Sequence, residues 1–528
     1  MVMRPVVLLI LDGYGVGEES KGNAITQANK PNLDFIEKNY PFVLLQASGV
    51  PVGLPWGEAG NSEVGHTAMG TGQIWQQPLT RITFAIQNGS FFQNPVLKKA
   101  IAHAKENNSA WHLVGLVGSG SVHSYIDHLY ALVEMAKNEN VKEIWLHLST
   151  DGQDSPPKEA ATLIQNLIER LNWLGKGKIA SCIGRFYSMD RDAHWDRIEK
   201  AYRLVIEGQG EKTQDFIQSI KNQYAKNIND NYLEPIVLVD EKNEPLGTVK
   251  DGDVVIFFNF REDRARELVK AIAEPKFKEF SHKETKNNFY AMLTPYEKGL
   301  PAEVIFPPLE LKYTLSQILS ENGKKQFKIA ETEKYAHVTY FFNGGQESAF
   351  EGEERQLIKS ATATHFSDVP KMKAFEIAEG LTSAIKSAKY DFLLANLANA
   401  DMVGHTGDLS ATIKSVESID LAVKKIMDAV LEVNGTLIIT ADHGNAELKI
   451  NTLSGEINTE HTINPVPLYL VTNQLKKEKT SEKIKELREE KTGVKGILQD
   501  VAATVLDLMQ INAPSDMDGK SLLPILYK

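Results

Sequence analysis

A chain of 528 residues is longer than one ordinary hydrophobic core supports, so two or more domains are expected. With 42% hydrophobic and 24% charged residues it reads as soluble and globular, and a net charge of −11, from 58 Lys+Arg against 69 Asp+Glu, argues against a general nucleic-acid binder. A single cysteine, Cys182, excludes an intrachain disulfide and makes a reducing cytoplasm the expected location.

The chain opens on PVVLLILDGYG, an apolar run too short to span a membrane and broken by Asp12 and Gly13. It reads as a buried strand, not as a signal peptide or a membrane anchor. Next comes WGEAGNSEVGHTAMG, with Ser62 at its centre and glycines at 57, 60 and 65 that suit a tight turn and a close backbone approach. Asn61, Glu63 and His66 flank the serine as candidates to orient a substrate. Read alone, Ser62 is as well explained as a polar or helix-capping residue.

Beyond a crossing near IWQQPLTRI, four runs repeat one pattern of apolar strand, polar turn and helical periodicity, which marks parallel α/β units. WHLVGLVGSGSVHS leads to His123, and EIWLHLSTDGQD to Asp151 and Asp154. KIASCIGRFYSMDRD leads to Arg185 and Arg191, which flank a loop-like FYSMD. DVVIFFNFREDRAR leads to Arg261 and Arg264, three apart and on one face if a helix begins there. Planar guanidinium forks suit carboxylate and phosphate, so these residues form a candidate anion pocket.

A proline-rich connector, TPYEKGLPAEVIFPP, precedes the remaining strands. DFLLANLANADMVGHTGD leads to Asp401 and His405, GTLIITADHGNAE to Asp442 and His443, and His461 follows in HTINPVP. Carboxylates and imidazoles together suit manganese, zinc or iron, and this set suffices for two ions. Any one of these aspartates could be a helix cap. Their recurrence at strand ends, with Asp12, favours a metal site, and a metal would give Ser62 work as an activated nucleophile. LKKEKTSEKIKELREEKTG reads as a solvated helical surface.

Metal-type residues come from both ends of the chain and anion-type residues from its middle. The expected architecture is therefore an α/β domain of residues 1–75 and 310–528, interrupted by an α/β domain of residues 76–309, with substrate in the cleft between them.

LLILDGYG, GNSEVGHTAMG, DMVGHTGD, TADHGNAE and HTINPVP, with IGRFYSMDRD, FNFREDRAR and ETEKYAHVTYFFNGG, closely resemble the cofactor-independent (2,3-bisphosphoglycerate-independent) phosphoglycerate mutases. The match runs through nearly the whole chain in the family's order. It implies an alkaline-phosphatase-like domain with an inserted phosphotransferase domain. It also implies 3-phosphoglycerate and 2-phosphoglycerate as substrates, a monomer, and no requirement for 2,3-bisphosphoglycerate. One manganese would be held by Asp401, His405 and His461, and the other by Asp12, Ser62, Asp442 and His443, with Mg2+, Co2+ or Zn2+ as substitutes. Ser62 would be the phosphorylated nucleophile. His123, Asp154, Arg185, Arg191, Arg261, Arg264 and Lys334 match substrate positions, with Lys334 and Asp154 as catalytic helpers.

The chain departs from the family pattern in the inserted domain. It has Gln153 in a substrate position where DGRD is usual, GSGSVHSY where SDGGVHSH is usual, and His194 where arginine is common. A metal-dependent phosphomonoesterase or another sugar-phosphate mutase is the alternative within the superfamily, and a catalytically dead anion-binding relative is the alternative outside enzymes.

Overall fold

The opening apolar run becomes strand Val6–Leu11, every residue of which is buried, near the middle of an eight-stranded sheet. This computed structural model describes residues 5–283, 285–309, 311, 313–451, 454–489 and 493–528. The chain divides into two units, Met1–Gln76 with Glu310–Lys528, and Gln77–Leu309. Each has its own sheet and core.

In the first unit the strand order is Glu353–Ile358, Gln326–Glu331, Phe392–Leu397, Val6–Leu11, Thr436–Thr440, Val466–Val471, Phe42–Gln46 and Val494–Ile497. Val466–Val471 runs antiparallel to both neighbours and the other pairs are parallel. Central strands buried on both faces need apolar side chains on both, which is why VVLLIL and TLIIT are continuous runs without alternation.

The second unit orders its strands Glu303–Val304, Phe289–Met292, Val254–Phe257, Trp111–Val117, Ile144–Thr150, Lys178–Gly184, Ile236–Leu238 and Glu211–Thr213. Four neighbours, from Val254–Phe257 to Lys178–Gly184, are parallel. The proline-rich stretch expected to be a connector contributes Glu303–Val304 to the edge of this sheet just before the division at Leu309 and Glu310. No helix among the described residues is long and apolar enough to cross a membrane. The lysine-rich stretch forms an exposed helix, Ser481–Arg488, and its residues 490–492 lie outside the described residues.

Two buried histidines are expected to make the second unit acid-sensitive. His128 faces Thr83 Oγ1 at 3.0 Å between the rings of Tyr125 and Phe260, and burial pushes its pKa down to about 3. Burial, reinforced by His112, holds His147 well below the usual imidazole range. The unfolded imidazoles take up protons below roughly pH 6.5, whereas the folded ones refuse them. The stability tied to these groups is therefore complete above that pH and is lost as pH falls, at up to about 1.4 kcal/mol per pH unit for each group. Denaturant unfolding at pH 6.5 and 4.5 is expected to show the midpoint of this unit falling with acid, and His128→Leu is expected to reduce the slope. An unchanged slope in the variant rules His128 out as a source.

Candidate active site

Three adjacent parallel strands end level with one another, Leu11 standing opposite Leu397 and Ile10 opposite Thr440. Asp12, Asp401 and Asp442 follow these strands and are delivered, buried, to one end of the sheet. The helix-cap explanation does not hold for them. Asp401 is the third residue of the short helix Asn399–Gly404, with His405 at its end, and Asp442–His443 lead into an irregular segment.

Ser62 is the first residue of helix Ser62–Thr71, and the capping residue is Asn61, whose side chain accepts from Val64 N at 2.9 Å. The serine is thereby free of capping duty and sits at the positive end of the helix dipole. A Cβ on Gly65 would lie 2.7 Å from Asp442 atoms, so glycine there lets the helix press against the carboxylate. Ser62 Oγ lies 2.7 Å from Lys334 Nζ, 3.0 Å from His443 Nε2 and 3.2 Å from Asp12 Oδ1. Glu63 remains at the exposed surface.

Lys334 enters from helix Thr332–Ala336, which follows the neighbouring strand Gln326–Glu331. Its ammonium also donates to Asp12 Oδ1 and Asp401 Oδ2, each at 2.7 Å. Burial alone would lower its pKa, but Asp12, Asp401 and Asp442 outweigh that and hold it well above the usual lysine range. Burial, with Asp442 beside it, pushes Asp12 up to about 6 against the pull of Lys334. Burial also acts to raise Asp401 and Asp442. For Asp401 the lysine, His405 and His461 prevail, for Asp442 His443 and His66 prevail, and both carboxyls stay well below the usual range.

The donor set fits divalent cations. His405 Nδ1 lies 2.8 Å from the Thr459 carbonyl and His461 Nδ1 2.8 Å from the Gly60 carbonyl, positions from which an Nδ1–H donates. Their Nε2 atoms lie 2.9 Å apart, each 3.2 Å from Asp401 Oδ1. Two imidazole nitrogens and a carboxylate oxygen converging on one point are a donor set that suits a divalent cation, and histidine metal ligands characteristically donate their other N–H to a carbonyl. Asp12, Asp401 and His443 form a second such group, and Asp12, His66 and Asp442 a third. Asp442 Oδ2 is buried without a well-formed hydrogen bond among the described residues.

The anion-type residues gather at the matching end of the other sheet, where Val117, Thr150 and Gly184 stand level. Arg185 Nη1 donates to Asp151 Oδ1 and Asp154 Oδ2, both at 2.6 Å, and its Nη2 reaches His123 Nε2 at 3.1 Å. Burial and then Arg185 push His123 down to about 4, so its Nε2 is an acceptor and its Nδ1 carries the proton toward Asp263 Oδ1 at 3.6 Å. Asp263 also pairs with Arg191 and Arg261, both at 3.1 Å, while Arg264 Nη1 donates to the Met189 carbonyl at 3.2 Å.

Two local expectations fail here. The helix after the Val254–Phe257 strand starts at Arg266, beyond both arginines; in the intervening FREDR turn Arg261 pairs with Asp263 and Arg264 donates to the Met189 carbonyl. Arg185 opens a short helix, Arg185–Ser188, where a loop was expected. Gln153 is exposed and uses its backbone N–H on Asp151 Oδ1 at 3.1 Å, and His194 pairs with Asp190 at 3.0 Å.

Residues 82–298 match the family model described as "BPG-independent PGAM N-terminus", and residues 302–519 the one described as "Type I phosphodiesterase / nucleotide pyrophosphatase". Among curated proteins, a 2,3-bisphosphoglycerate-independent phosphoglycerate mutase of Clostridium botulinum is 45% identical over 99% of this chain and 100% of its own length. The chain belongs to the 2,3-bisphosphoglycerate-independent phosphoglycerate mutase family. Mutases of Clostridioides difficile (43% identity, 99% of this chain and 100% of the relative) and Methanococcoides burtonii (46%, 98% and 98%) match equally fully. A solved phosphoglycerate mutase of Leishmania mexicana, crystallised at low cobalt concentration, aligns over 98% of this chain and 97% of its own with a TM-score of 0.55 and 31% identity.

As a phosphoglycerate mutase the protein is an isomerase, and around Ser62 the structure gives His66, a substrate-orienting candidate from the sequence, contacts of its own and adds Asn396, which escaped sequence reasoning. His66 lies one helical turn from Ser62, with Nδ1 2.8 Å from the Ser62 carbonyl and 3.2 Å from Asp442 Oδ2. Its i+4 spacing on the same helix was the available signal. Asn396 donates to Asp12 Oδ2 at 2.7 Å and lies 3.0 Å from His66 Nε2, and a polar residue inside the apolar run FLLANL was the hint. Lys334 follows a strand by the same grammar as Asp12, yet only the resemblance singled it out.

Proposed function

We propose that this mutase interconverts 3-phosphoglycerate and 2-phosphoglycerate through a phosphoserine at Ser62, serving glycolysis and gluconeogenesis as a cytoplasmic monomer without 2,3-bisphosphoglycerate. The carrying observation is Ser62 Oγ at a helix N-terminus, within 2.7–3.2 Å of Lys334, His443 and Asp12. Asp401, His405 and His461 would hold one Mn2+, and Asp12, Ser62, Asp442 and His443 a second. The cobalt named for the Leishmania mexicana structure supports a divalent transition metal. The ions, when bound, supply the charge that acidifies the Ser62 hydroxyl and stabilises the transferring phosphoryl group.

Ser62 Oγ attacks phosphorus, the bond from phosphorus to the C3 oxygen breaks, and glycerate is retained. Lys334 neutralises charge on the phosphoryl oxygens. Arg185, Arg191, Arg261, Arg264 and His123 hold the carboxylate and hydroxyls of glycerate while it reorients. Asp154 relays a proton, so that the C3 oxygen gains one and the C2 hydroxyl gives one up before the phosphoryl group returns to C2. Gln153 offers an amide where family members usually place a guanidinium, which leaves Arg185 and Arg191 to carry more of the charge.

The deciding assay follows 2-phosphoglycerate and free phosphate together, with 3-phosphoglycerate as substrate. Chelation is expected to abolish mutase activity and added Mn2+ to restore it, with 2-phosphoglycerate far exceeding phosphate and no bisphosphoglycerate supplied. Phosphate as the main product makes the protein a phosphomonoesterase instead.

A further inference from the structure

Four donors converge on one buried carboxylate that touches neither the proposed nucleophile nor the proposed metal ligands. Glu447 is 2% exposed. Its Oε2 accepts from Gly15 N at 3.1 Å and from Asn445 N at 2.9 Å. Its Oε1 accepts from Asn464 Nδ2 at 3.0 Å and from the Thr462 hydroxyl. Gly15 lies three residues after Asp12, Asn445 two after His443, and Thr462 one after His461. The three loops are therefore gathered by a single side chain.

The chain leaves room for this convergence. A Cβ on Gly15 would come within 2.4 Å of the Glu447 carboxyl carbon, and one on Gly444 within 2.3 Å of Oε1. The fourth ligand segment is tied in through the same turn. Asn445 Nδ2 donates to Asp401 Oδ1 at 2.9 Å, and Lys449 Nζ donates to Asn445 Oδ1 and to the Gly404 carbonyl, the latter at 3.0 Å. An ionised carboxylate is acceptor-only, with about four lone-pair sites, so it satisfies four donors at once. A carboxamide of the same shape cannot, because one of its two ends is itself a donor.

We propose that Glu447 is a positioning residue for the metal centre, clamping the loops that carry Asp12, Asp442–His443 and His461 so that their donor atoms meet with the spacing a divalent ion needs. The proposal rests on the two-metal reading above. It assigns to Glu447 no contact with ion or substrate, only the placing of the groups that make such contacts.

The test is Mn2+ titration of the metal-stripped full chain by calorimetry, comparing wild type with Glu447→Gln. The variant is expected to bind Mn2+ about 10-fold more weakly, the low end of what losing a direct partner of a metal ligand costs, because Glu447 acts on the ligands only through their loops. At saturating Mn2+ its KM for 3-phosphoglycerate is expected to stay within about twofold of wild type while the Mn2+ activation constant rises, a split that general unfolding does not produce. Affinity and stoichiometry equal to wild type overturn the proposal. If Glu447→Gln does not fold, Thr462→Val, which removes one of the four donors, decides. Weaker Mn2+ binding supports the clamp and unchanged binding overturns it. A wild-type protein that binds no Mn2+ would sink the two-metal reading itself, a result distinct from failure of the clamp.

Discussion

Ser62→Ala is expected to lose interconversion of the two phosphoglycerates by a factor on the order of 10^4 or more, because removing a covalent nucleophile leaves only binding and electrostatics to act. The substitution removes one oxygen from the first turn of helix Ser62–Thr71 and leaves the Asn61 cap intact, so the fold is expected to persist. Intact-mass measurement after rapid mixing with 3-phosphoglycerate should find one added phosphoryl group on the wild-type chain and none on the variant. Appreciable turnover by purified Ser62→Ala would falsify the phosphoserine route, whatever its metal content.

Lys334→Met combines two effects of opposite direction. The ammonium donates to Asp12, Ser62 and Asp401, each at 2.7 Å, and stands among three buried carboxylates. Without it Asp12, Asp401 and Ser62 of the metal-stripped protein lose their shared donor, and breaking such a buried ion pair costs about 3–5 kcal/mol. Mutase kcat is expected to fall by about 10^2 to 10^3, the usual loss on deleting one preorganised donor to a transferring oxyanion. Mn2+ is nevertheless expected to bind more tightly, since no fixed cation competes for Asp12 and Asp401. Lower stability of the stripped protein, lower kcat and stronger metal binding are measurable by denaturant titration, steady-state assay and calorimetry. A kcat within tenfold of wild type removes Lys334 from the chemistry.

How far the sequence discloses such a site depends on whether a residue's role is local. Asp12, Asp401 and Asp442 were readable because each follows an apolar β-run, and the strands of a parallel sheet end at a common edge. The two-domain α/β architecture was readable for the same reason. Ser62 was ambiguous because a serine before a helical pattern is most often a cap, and only the contacts of its Oγ show that Asn61 holds that post. Arg261 and Arg264 would share a helix face only if a helix began at them; instead Arg261 pairs with Asp263 inside the turn and Arg264 donates to the Met189 carbonyl on another segment. Glu447 closes the motif TADHGNAE, yet no spacing gave it a role. Besides Asn445 beside it, its donors are 432 residues away at Gly15 and 17 away at Asn464, and no periodicity records a meeting of that kind.

The level strand ends have a consequence for the newborn chain. Val6–Leu11 finds both of its sheet neighbours, Phe392–Leu397 and Thr436–Thr440, only after about 430 further residues have been made, which takes roughly 20 to 90 s at ordinary rates of synthesis. Throughout that interval VVLLIL, a run without charge, proline or glycine, emerges with nothing to pair against, while the unit encoded between has its own strands to form. The nucleophile and the first carboxylate are thus among the earliest parts translated and the last to become a site. The cell bears the hazard of an unpaired, aggregation-prone strand for most of the time it takes to make the enzyme.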